Sequence, residues 1–76
     1  MLSFDETRVL QLFVSEGNTI RISPRGDFET RRQRAAAWMP ATTLHLVIRG
    51  FLMPSGDREL TITEEGIAAL KGVHAA

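Results

Sequence analysis

Two linked stretches decide how this chain folds: Leu46-Val47-Ile48-Arg49-Gly50-Phe51-Leu52 and, after a short polar gap, Leu60-Thr61-Ile62-Thr63-Glu64-Glu65-Gly66-Ile67-Ala68-Ala69-Leu70. In the first, a lone glycine at the end of an apolar run closes one element, and Phe51-Leu52-Met53 opens a strand. Between the two stretches, Pro54-Ser55-Gly56-Asp57 is a cluster of turn residues. Glu59-Leu60-Thr61-Ile62 therefore reads as the return strand of a hairpin. Thr63 caps a helix from Glu64 to about Lys71, with two carboxylates in the first turn where the helix dipole favours them, and Gly72 closes it. The segment from Ala41 to Arg49 fits either a helix or a buried strand. Two threonines at its start and Gly50 at its end weigh towards the helix, and Pro40 suits a first helical turn.

Working outward, Ser3 and Glu6 form a capping box. Val9, Leu10, Phe13 and Val14 follow at helical spacing, and Gly17-Asn18 tolerates the left-handed conformation that ends a helix. A helix is expected over about residues 4–16. Thr19-Ile20-Arg21-Ile22 alternates and reads as a strand, stopped by the turn cluster Ser23-Pro24-Arg25-Gly26. Asp27 is a fitting cap for a helix from Phe28 to about Trp38, in which Ala35, Ala36 and Ala37 allow close packing, and Pro40 ends it. The expected order is helix, strand, helix, helix, strand, turn, strand, helix, in a single domain spanning residues 1–76.

Composition narrows the function classes. Of the 76 residues, 43% are apolar and 24% charged, values of a globular domain and not of a disordered chain. There is no cysteine, which excludes disulfides and thiolate metal sites and fits a reducing cytoplasm. No apolar run approaches the ~18–20 residues that span a bilayer, so a soluble, cytoplasmic protein is expected, with no membrane partner. An enzyme is not expected. Tyrosine is absent, His45 and His74 show no metal spacing with a carboxylate, and no glycine-rich phosphate loop occurs. Adjacent Glu64 and Glu65 point apart on a helix and make no catalytic pair. No cofactor, metal or small-molecule pocket is inferred from a chain this short.

The hairpin and its flanking elements resemble the winged helix-turn-helix superfamily of small bacterial DNA-binding regulators. Residues 46–52 look like the end of a recognition helix entering the first wing strand. Residues 60–70 look like the second wing strand running into the closing helix, and the wing would be Pro54–Arg58. The resemblance covers about residues 41–71; the first half matches in its order of elements. It implies an α+β fold with a three-helix core, a small antiparallel sheet forming the wing, and a C-terminal helix. It also implies a transcriptional regulator that binds double-stranded DNA, acting as a homodimer.

On that reading the 41–49 helix enters the major groove. Arg49 and His45 are candidates for base or phosphate contact, and Thr42 and Thr43 for phosphate or thymine-methyl contact. Arg31, Arg32 and Arg34 would lie on the phosphate backbone, and Arg58 at the wing tip would reach a phosphate or the minor groove. Against this, nine basic and nine acidic residues leave a net charge of zero. Simple readings stand beside each candidate: a solvated arginine-rich helix side, a surface histidine, threonines that only cap a helix. The 41–49 helix also strands a large apolar side chain in water. Leu46 faces outward if Leu44, Val47 and Ile48 face the core; Ile48 does if the register of the superfamily holds. A patch there would suit the alternative reading, a protein–protein interaction module using the apolar face of this helix or the terminal helices.

Overall fold

The computed structural model describes residues 2–24, 28–29 and 40–75. Its elements are helix α1 (Phe4–Ser15), strands β1 (Thr19–Ile22) and β2 (Phe28–Glu29), helix α2 (Pro40–Ile48), strands β3 (Leu52–Gly56) and β4 (Glu59–Ile62), and helix α3 (Glu64–Ala75). The described residues thus form an α+β arrangement of three helices and a four-stranded antiparallel sheet, ordered β2-β1-β4-β3.

Local chemistry sets both ends of α1. The Ser3 hydroxyl accepts the Glu6 N–H at 3.1 Å, and the Glu6 carboxylate accepts the Ser3 N–H at 2.8 Å, completing the capping box. At the other end, Asn18 N–H donates to the Phe13 carbonyl and Gly17 N–H to that of Val14, with φ of +86° at Gly17 and +79° at Asn18. This is a Schellman closure, which satisfies carbonyls that the last turn leaves without partners. Helix α2 ends the same way: Phe51 N–H donates to Leu46 and Gly50 N–H to Val47, with Gly50 at φ +84°.

The core draws on every layer. Val9, Leu10 and Phe13 of α1 meet Ile20 of β1, Leu46 of α2, Leu52 of β3, Leu60 and Ile62 of β4, and Leu70 of α3. Phe28 adds an edge-to-face ring contact with Phe13, centroids 5.6 Å apart. Strand β4 alternates, with Leu60 and Ile62 inward and Glu59 and Thr61 less covered. On the outer sheet face, Thr61 shares hydroxyl hydrogen bonds with Thr19 and Ser55, and Arg21 pairs with Glu59 at 3.3 Å.

Three expectations need correction, and one open alternative is resolved. Phe28 and Glu29 do not begin a helix; they pair with Ile22 and Arg21 as a hairpin strand, and the rest of that expected helix lies outside the described residues. The wing turn is narrower than Pro54–Arg58, because β3 runs through Pro54 to Gly56 and only Asp57-Arg58 separates the strands. Proline is tolerated there since β3 is an edge strand, and the register slips between Pro54 and Gly56. Gly72 does not close the last helix, which continues to Ala75. In α2, Leu46 is the buried residue and Ile48 the exposed one.

The two deciding stretches meet in one clasp. The Thr63 hydroxyl donates to the Gly50 carbonyl at 2.6 Å and accepts from Gly66 N–H at 3.1 Å, while Thr63 N–H donates to the Phe51 carbonyl. Gly66 lies so close that a Cβ there would overlap the Phe51 carbonyl and the Ile62 side chain. One threonine therefore caps α3 and ties it to the end of α2. Thr63→Val keeps the shape and removes both hydroxyl bonds, so it is expected to destabilise the fold by about 1–2 kcal/mol, with Thr63→Ser near wild type, as read by thermal melting.

Candidate interaction surface

Helix α2 presents two chemically different sides. Inward go Thr43 and Leu46, with Val47 half-buried; outward go Ala41, Leu44, His45 and Ile48, one helical face at spacings of three and four. Leu44 is 59% and Ile48 72% exposed. Along this face His45 is the sole polar side chain. A recognition surface for base edges needs donors and acceptors at such positions; this one offers hydrocarbon.

Arg49, at the end of the helix, is held against the protein. Its Nη1 donates to both oxygens of Glu6 at 2.9 Å, and its guanidinium lies over the Phe51 ring, 4.8 Å from the centroid. The Glu6 carboxyl lies below the ordinary glutamate range. The Ser3 backbone N–H contributes most, Arg49 adds to it, and desolvation opposes both. Glu6 thus caps α1 and anchors α2 at once.

The other sequence candidates scatter. Thr43 is 3% exposed, and its hydroxyl is buried without a hydrogen-bond partner. Thr42 is half-buried, and His45 is exposed on the apolar face. Arg58 is exposed in the β3–β4 turn at φ +55°, between Asp57 and Glu59. Arg31, Arg32 and Arg34 lie outside the described residues. The Glu6–Arg49 pair joins residues far apart in sequence and had no local signal. Its one legible half was the capping role of Glu6.

Among the described residues, no three histidine, aspartate or glutamate side chains gather as a metal ion would require, and no helix is long and apolar enough to cross a membrane. No protein-family model, curated protein or solved structure matches the chain.

Two outcomes follow. Folding with a depressed carboxyl pKa gives stability that is complete above the unfolded value and lost as pH falls through the folded one. Glu6→Gln should therefore melt below wild type at neutral pH, by about 1–2 kcal/mol, and the gap should close as pH drops through and below the carboxylate range. Thr43→Val replaces an unsatisfied buried hydroxyl by a methyl of similar shape and should raise stability by about 1 kcal/mol in denaturant unfolding.

Proposed function

We propose that this chain is a winged-helix-like module that binds a protein partner through the outward face of α2. The observation that carries this reading is the character of that face: Leu44 and Ile48 stand in water, while Arg49 is turned onto Glu6 and Thr43 is buried. Leu44 and Ile48 lie one turn apart on one helix face, and exposed apolar side chains grouped in this way, unlike ones scattered singly, suit a contact site. A partner of matching chemistry is an amphipathic helix or an apolar groove, with Leu44 and Ile48 as anchors one turn apart. The winged-helix part of the reading is supported by the β1-β4-β3 arrangement and by the clasp that joins α2, the hairpin and α3.

A second reading, DNA binding by a transcriptional regulator, draws on the exposed Arg58 at the hairpin turn. The two readings part in one experiment. Wild type, Leu44→Asp/Ile48→Asp and Arg58→Ala are each titrated with random duplex DNA at low and moderate salt, and each is used to capture partners that are then purified and retitrated. The protein reading expects no duplex binding and a partner affinity that falls at least roughly tenfold in the Leu44/Ile48 variant alone. Salt-sensitive duplex binding whose slope flattens in Arg58→Ala would replace it with the DNA reading.

A further inference from the structure

Helices α1 and α3 leave a groove of about 320 Å³ between them. Gln11, Val14 and Ser15 of α1 and Ile67, Leu70 and Lys71 of α3 line it. Each set falls at positions i, i+3 and i+4, which is one face of its helix. Leu70 belongs to the core, Ile67 is half-buried and Val14 is 45% exposed, so hydrocarbon runs from the core out to water.

The three polar lining residues are not equivalent. The Ser15 hydroxyl donates to the Leu12 carbonyl at 2.9 Å, and Gln11 is engaged within the chain. Lys71 is exposed and makes no ion pair or hydrogen bond among the described residues. It is also the sole charged residue on the lining. An ammonium group only donates, so the polar end of an occupant must accept, and a negative charge there is favoured. We propose that the α1/α3 groove binds a small carboxylate with an apolar body about the size of one ring, its head on the Lys71 ammonium.

Size selects a small molecule over a docked helix. The lining spans four residues on each helix, about 6 Å of axis, whereas a helix seated by anchors at i, i+3 and i+7 needs about 10 Å. An apolar cavity of ~150 Å³ already accepts a benzene ring, so the groove has room for a ring and a short chain leading to the head group. Charge selects the sign: a cationic ligand meets no carboxylate on the lining, and a neutral one leaves Lys71 unanswered. Chain length alone predicts no small-molecule pocket, and the groove is where the structure departs from that expectation. The site uses α1 and α3 and leaves the outward face of α2 open, so it holds whichever partner α2 takes.

The test is a methyl NMR titration at neutral pH and constant ionic strength. The probes are hydrocinnamate, its neutral amide, and acetate, which keeps the charge and lacks the apolar body. Wild type, Lys71→Met and Val14→Glu are compared, with circular dichroism as the folding check. Hydrocinnamate is expected to shift the methyl signals of Val14, Ile67 and Leu70 with a Kd on the order of 1 mM, as its size allows. The amide should bind roughly fivefold more weakly, the worth of one exposed ion pair, and acetate should leave these methyls unmoved. Lys71→Met should bring acid and amide to the same affinity, and Val14→Glu should weaken the acid more than the amide. No shift at the highest soluble concentration overturns the proposal, as do shifts centred on Leu44 and Ile48. So do equal affinities for acid and amide in wild type, a preference for the acid that survives Lys71→Met, or acetate acting as well as hydrocinnamate.

Discussion

The architecture hangs on the junction where the end of α2 meets the start of α3. Gly50 and Phe51 leave α2 with carbonyl groups that the helix cannot use, and Thr63 supplies donors to both. Its hydroxyl simultaneously accepts the N–H of Gly66, so each polar group in the junction is answered by another. Because β3 departs from one side of this junction and β4 arrives at the other, the clasp also sets where the hairpin can close. The lack of a side chain at Gly66 lets α3 approach the Phe51 carbonyl, which brings Leu70 over the core. A second tie, Glu6 to Arg49, fastens the start of α1 to the other side of α2. Helix α2 is thereby gripped from two directions by interactions at its C-terminal end.

Much of this was legible because the signals were local. The capping roles of Ser3 and Glu6, Gly17-Asn18, Gly50 and Thr63 are each played within a few residues, whereas the longer ties of Glu6 to Arg49 and Thr63 to Gly50 had no local signal. The failures share the opposite cause. Phe28 follows an aspartate that would cap a helix, yet its place is set by pairing with Ile22 and by the ring of Phe13, neither of which a local pattern reveals. Pro54 and Gly56 carry turn chemistry, and their place at a sheet edge lets β3 pass through them.

The candidate surface was less legible than the fold, for a physical reason. Whether Leu46 or Ile48 faced water was undecided by periodicity, since a short apolar helix offers more than one plausible inward stripe. Packing against α1 and β3 chose Leu46. The fate of Arg49 depended on a carboxylate at the far end of the chain, so a residue that looked available for DNA became a structural strut.

That conversion bears on what the domain can bind. Three arginines in the described residues, Arg8, Arg21 and Arg49, lie over a phenylalanine ring or against a carboxylate of the same chain. A phosphate competing for Arg49 must displace Glu6, leaving a largely buried carboxylate without its cation, and so gains less than it would from a solvated arginine. Counter-ion release, which drives most non-specific nucleic-acid binding, is weakened by the same internal pairing. The apolar face of α2 faces no such competition. Leu44 and Ile48 gain from any hydrophobic cover, and the contacts that hold Arg49 against Glu6 leave both uncovered.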